Sequence, residues 1–95
     1  MWLSEEDAKL IASDYIDYND TIVDMRCHLI YSSKTHDPIS WVVHIHHMDL
    51  DRNMFFSVIE INNNGIVVFF DTRYVANQET DGVMDYNGMN LLSPR

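Results

Sequence analysis

The segment WVVHIHHMDL, residues 41–50, holds His44, His46 and His47 in a run that otherwise alternates like a β-strand. An imidazole can ligate a transition metal, act as a general base, or lie as an aromatic on a sheet face. Alternation decides which rings can act together: His44 and His46 point one way, and His47 points the other. His28, from a neighbouring strand, falls near His44 in the pairing derived below, so three imidazoles could meet on one surface. Zinc, copper or nickel could use such a set. It lacks a fourth strong ligand, because Cys27 faces the opposite side and the nearest carboxylates are in turns. The expectation is three unlinked histidines on a partly apolar face, with no metal and no other cofactor.

Two further patterns invite chemistry. In DLDRNMFFSVIE, Asp49, Asp51, Asn53 and Glu60 stand at positions 1, 3, 5 and 12 of a calcium-loop pattern. Met54 replaces the glycine that makes the sharp bend, and the flanks alternate like strands where a calcium hand needs helices. A tight polar turn explains the same residues. Cys27 and His28 are adjacent, which in a strand sets them on opposite faces, so the imidazole cannot activate the thiol. Cys27 reads as a buried apolar filler. Ser57 faces the core in a strand with no nucleophile elbow, and Gly65, Gly82 and Gly88 all sit in turn-like contexts. No active site is expected, and the chain reads as a non-enzyme.

The elements that position these residues follow from periodicity. In LSEEDAKLIASDYIDYND, Ser4 is a good N-cap, Asp7 stands at capping-box spacing, and Glu5, Glu6 and Asp7 suit the positive end of the helix dipole. Ala8, Ile11, Ala12, Tyr15 and Ile16 form one apolar stripe. Asp14, Asp17 and Asp20 fall elsewhere and are expected in solvent. The period then changes to two. Runs from Met25 to Tyr31, Ile39 to Met48, Met54 to Ile61 and Ile66 to Asp71 are joined by SSKTHDP, DLDRN and the hairpin turn NNNG. The fold class is α+β: one N-terminal helix packed on a four-stranded antiparallel meander, with a C-terminal tail of uncertain structure, residues 1–95 forming a single small domain.

Pairing the hairpins sets Leu29 near Val43, His28 near His44, Ile45 near Ser57, Val43 near Ile59, Ile61 near Ile66 and Ile59 near Val68. One face then collects Cys27, Leu29, Tyr31, Trp41, Val43, Ile45, Phe55, Ile59, Ile61, Ile66, Val68 and Phe70, and the helix stripe belongs on it. The other collects Arg26, His28, Ile30, Val42, His44, His46, Met48, Met54, Phe56, Val58, Glu60, Val67 and Phe69, rimmed by Asp49, Asp51, Glu60 and Asp71. Contiguous apolar surface of this kind is usually covered. The cover is either the tail TRYVANQETDGVMDYNGMNLLSPR (through Tyr74, Val75, Val83, Met84, Tyr86, Met89, Leu91 or Leu92), a partner, or a second copy of the chain.

Charge bears on the partner. Fifteen acidic residues against six basic give a formal net charge of −9. That excess opposes nucleic acid and anionic membrane over any broad surface and suits a basic partner. The single cysteine points to a reducing compartment. The N-terminus MWLSEED has no secretory signal, and no window approaches the ~20 apolar residues of a membrane span. A cytoplasmic protein is expected.

The short helix SEEDAKLIASDYI, the strand SWVVHIHH and the hairpin FFSVIEINNNGIVVFF together resemble small bacterial toxin-immunity proteins, over about residues 4–70. Several of those are one helix on an antiparallel meander with a Trp-led strand; cystatin-like and PepSY-like modules are similar more distantly. The resemblance implies a non-enzymatic inhibitor that neutralises a toxin, and it carries over no binding residue. Combined with the charge, it suggests an acidic protein covering the active or substrate-binding site of a basic, nuclease-like toxin. The expected contact set is His44, His46, Met48, Asp49, Asp51, Phe56, Glu60 and Asp71, with Phe56 as aromatic anchor. The alternative is a homodimeric sheet-face module that binds a metal or small ligand through its surface histidines.

Overall fold

The computed structural model describes residues 2–79. Helix α1 (Glu5–Ser13) precedes strands β1 (Thr21–Tyr31), β2 (Pro38–Met48), β3 (Asn53–Asn62) and β4 (Val67–Asn77). The strands pair antiparallel in the order β1-β2-β3-β4, the α+β meander that the periodicity predicts. Among the described residues, no helix is long and apolar enough to cross a membrane.

The helix begins where capping chemistry places it: the Asp7 N–H donates to Ser4 Oγ at 3.1 Å, and Glu5, Glu6 and Asp7 occupy the first turn. Nine residues are too few to hold a helix in water, so packing must hold this one. Ala8 and Ala12 are fully buried, and their small side chains let α1 lie close on Val43, Ile45, Ile59 and Ile61 of the two central strands. The chain ahead of the helix is tied down as well. Trp41 Nε1–H donates to the Leu3 carbonyl at 2.8 Å, and the Leu3 N–H donates to Asn63 Oδ1 at 3.1 Å. Cys27 is half-buried beside this core, and burial pushes its thiol pKa up to about 11.

The β2–β3 register is the expected one, with Ile45 opposite Ser57 and Val43 opposite Ile59. The β1–β2 register is displaced by two residues, so that Leu29 faces Trp41 and Arg26, not His28, faces His44. A two-residue shift keeps every side chain on its face. Its cause lies in the connection. Ser32 binds the Asp37 carbonyl through its N–H and accepts from the Lys34 and Thr35 N–H groups through its hydroxyl, while His36 takes a positive φ of 63°.

The β3–β4 pairing departs further. Gly65, at φ +80°, closes the turn from Asn62 to Ile66, and Ile61 lies opposite Val67 rather than Ile66. Val68 is then an extra residue, and Ile59 meets Phe70 rather than Val68. The bulge turns Val67 onto the core, correcting its assignment to the outer face. It leaves Ile66 and Val68 more than half exposed; Tyr31, beyond the separate irregularity after Ile30 in β1, is also more than half exposed, although the simple alternation puts all three on the core face. Strand β4 also runs on to Asn77, so Tyr74 and Val75, expected to belong to a covering tail, are part of the sheet. The rest of that expectation, through Val83 to Leu92, falls on residues 80–95, outside the described residues.

Candidate functional site

Two groups of polar side chains stand out, one on each face of the sheet. On the outer face β2 and β3 bring Phe56 directly opposite His46, with ring centroids 4.8 Å apart. The Phe56 ring also stacks on His44 at 5.7 Å, and His44 stacks diagonally on His28 at 5.2 Å. Phe56 thus sits at the middle of a run of aromatic rings that rigid central strands hold in place. An open cavity of about 370 Å³ lies among Asp24, Arg26, His44, His46 and Phe56.

The two edge strands frame this centre with matching pairs. On β1, Arg26 Nε–H donates to Asp24 Oδ2 at 3.2 Å; on β4, Arg73 Nε–H donates to Asp71 Oδ2 at 3.1 Å. Glu60, between them, accepts from the buried Ser40 hydroxyl at 2.7 Å. Charge on this face is therefore nearly balanced. Much of the acidic excess lies on the other side, where Glu6, Asp7, Asp14 and Asp17 are exposed on α1 and the turn after it.

Of the residues expected at a contact, His44, His46, Met48, Phe56, Glu60 and Asp71 share the outer face. Asp51 is exposed in the β2–β3 turn. Asp49 does not rim that face. Its Oδ1 accepts from the Asp51 and Asn53 N–H groups, both at 2.9 Å, and its Oδ2 accepts from Asn53 Nδ2 at 3.1 Å. Hydrogen bonding from the Asn53 side chain, then its backbone, holds the Asp49 carboxyl below the usual range. The carboxylate builds the turn, with Arg52 at φ 68°, and lines a cavity on the helix side. The calcium-loop echo is this turn: Glu60 lies roughly 23 Å along β3 from Asn53 at strand rise. Among the described residues, no group of three His, Cys, Asp or Glu side chains is placed to hold a metal ion.

Burial, then the proximity of His28 and His46, pushes the His44 pKa below its ordinary value. A base whose folded pKa is lowered takes up its proton more readily in the unfolded chain. Its share of stability is intact above the ordinary histidine pKa and shrinks as pH falls through that value toward the folded pKa. His44→Asn should therefore lose less melting temperature than the parent between pH 7.5 and 5.5. Equal acid losses for both proteins would remove His44 as a cause.

The helix side holds a connected chain of polar side chains whose members periodicity alone does not join. Asp20 Oδ2 accepts from His47 Nδ1–H at 2.7 Å, His47 Nε2 lies 2.8 Å from Ser57 Oγ, and Ser57 Oγ lies 2.7 Å from Thr72 Oγ1. Asp20, expected in solvent, has a side chain only 8% exposed. The turn that delivers it is set by Asp17, whose carbonyl and Oδ1 accept from the Asp20 and Asn19 N–H groups. In the neutral ring Nε2 accepts the Ser57 proton, and Ser57 accepts from Thr72. The order carboxylate, imidazole, hydroxyl is that of a hydrolytic triad. The burial is not, because Ser57 has no exposed surface and its oxygen is engaged on both sides. No substrate carbonyl can reach it.

The network is therefore a polar clasp joining the post-helix turn to β2, β3 and β4. Its exposed end, Thr72, opens on a cavity of about 330 Å³ walled by Tyr15, Ile16 and Phe55, with Asp17 and Asp49 at hand. One signal for it was present in the sequence: a core-facing His47 must find partners for both ring nitrogens. No protein-family model, curated protein or solved structure matches this chain.

Proposed function

We propose that this chain is a binding protein of the immunity type, which neutralises a basic toxin by covering its active or substrate-binding site with the outer sheet face. The observation that carries the reading is Phe56, half-buried among His44 and His46 at the centre of that face. An aromatic anchor fixed on strands needs little ordering on binding, and side chains of this kind dominate interface energies. Met48, Glu60 and Asp71 surround it. Asp71 is held by its own arginine and Glu60 by Ser40, so the carboxylates are oriented before a partner arrives. The overall charge of −9 accelerates encounter with a basic protein, while the balanced face supplies the fit.

The test is binding to, and inhibition of, a basic toxin-sized protein encoded beside this one. Phe56→Ala should weaken the complex about thirtyfold or more, some 2 kcal/mol. Leu50→Ala, in an exposed turn, should change it less than about threefold. Reversing Glu60 and Asp71 to Lys should cost more than reversing Asp14 and Asp17. A larger effect from the helix-side pair, or wild-type affinity in Phe56→Ala, would move the contact off this face.

A further inference from the structure

We infer that the helix-side cavity is a binding site for a primary alkylammonium group, carried by a free aliphatic amine or by a lysine side chain. It lies on the opposite face of the sheet from Phe56, so it goes beyond the binding reading and does not depend on it. The cavity, about 330 Å³, is walled by Tyr15, Ile16 and Phe55, a size that small ligands occupy. The charged groups that line it are acidic: Asp17, Asp20 and Asp49, with no lysine or arginine among the described lining residues.

Burial and ring chemistry together select the ligand. Asp20 carries its carboxylate in a side chain only 8% exposed, and a carboxylate out of water needs donors on both oxygens. His47 Nδ1–H supplies Oδ2 at 2.7 Å; among the described residues no donor is set against Oδ1. His47 is engaged on both ring nitrogens and has nothing more to give. Asp17 and Asp49 are fixed beside the cavity by the turns they cap. The rings are fixed as well: Phe55 stacks on His47 at 5.6 Å, and Tyr15 lies 5.6 Å from Phe70. Aromatic walls attract an organic cation, and its alkyl chain suits Ile16. A hard metal ion needs a shell of oxygens, which rings and an aliphatic wall do not provide. A neutral ligand gains nothing from the three carboxylates, and a quaternary ammonium has no N–H for Oδ1. A primary ammonium meets both demands, with three donors on a compact charge.

The experiment is an NMR titration of the full chain at constant ionic strength, read at the Asp20, Phe55 and Thr72 amides. Butylammonium should give saturable shifts with a Kd of about 5 mM or tighter, the range open to so small a ligand. Butanol, tetramethylammonium and magnesium should each bind at least about tenfold more weakly. Nα-acetyl-lysine methylamide carries the same ammonium end on a peptide backbone. Binding at least as tight as butylammonium assigns the site to a side chain; weaker binding assigns it to a free amine. Asp20→Asn keeps an acceptor for His47 but removes the charge, and should weaken butylammonium at least about tenfold. Tyr15→Leu, at a half-exposed position, and Asp17→Asn should each weaken it about threefold or more, and these two decide if Asp20→Asn fails to fold. Glu6→Gln makes the same charge change on exposed α1 surface and should leave the Kd within about 1.5-fold. Absence of saturable shifts overturns the proposal, as does an equal response to butanol or magnesium. Cavity variants that bind like wild type, or a loss in Glu6→Gln equal to theirs, also overturn it.

Discussion

Asp20→Ala is expected to lower stability by about 3 kcal/mol, because it removes one partner of a buried polar pair and leaves the other in place. His47 would keep a donor with no acceptor, in a ring that is 6% exposed. The adjoining cavity can admit water to part of the site, which keeps the expected cost at the lower end. In a domain of this size the melting temperature should fall by roughly 12 °C or more. The cost should decline along the chain of hydroxyls: about 1–2 kcal/mol for Ser57→Ala, and under about 1 kcal/mol for Thr72→Val, whose side chain reaches water. Urea unfolding with an unchanged slope measures all three. A loss within about 0.5 kcal/mol for Asp20→Ala would return that residue to solvent, where its position off the helix stripe first put it.

Ile59→Ala should cost about 3–4 kcal/mol. Ile59 has no exposed surface and lies in a central strand under the helix, where neither sheet nor helix can collapse into the space left behind. Ile66→Ala should cost under about 0.5 kcal/mol, since the turn leaves that side chain largely in water. The pair of values separates two registers. A simple mirror pairing across NNNG puts both isoleucines in the core and makes both substitutions expensive. Comparable losses at the two positions would restore that pairing and remove the bulge at Val68.

Element order and the faces of β2 and β3 follow from alternation alone, because a half-buried strand repeats every two residues and both strands lie under the helix. The outer aromatic centre follows too: His44, His46 and Phe56 share a parity, and the short β2–β3 turn fixes their register. The β1 register and the start of β4 do not follow. They depend on the hydrogen bonds of Ser32 and on a single extra residue, neither of which leaves a mark on hydrophobic periodicity. The clasp was hidden for a related reason. Asp20, His47, Ser57 and Thr72 come from four separate stretches of chain, and only the return of the post-helix turn to the sheet brings the first to the others.

The bonds that tie Leu3 to Trp41 and Asn63 set the order in which this chain can assemble. Among the described elements the helix leaves the ribosome ahead of the strands, so every surface it docks on is made later. Val43 and Ile45 follow it by about thirty positions, Ile59 and Ile61 by nearly fifty, and Asn63 comes last. Each hairpin of the meander, by contrast, closes between neighbours in sequence, at small entropic cost. A nine-residue helix with no partner does not persist in water. The N-terminal segment therefore cannot complete its docking until the β3–β4 turn exists, and the helix, made ahead of the strands, is the last of these elements that can be fully fixed in place.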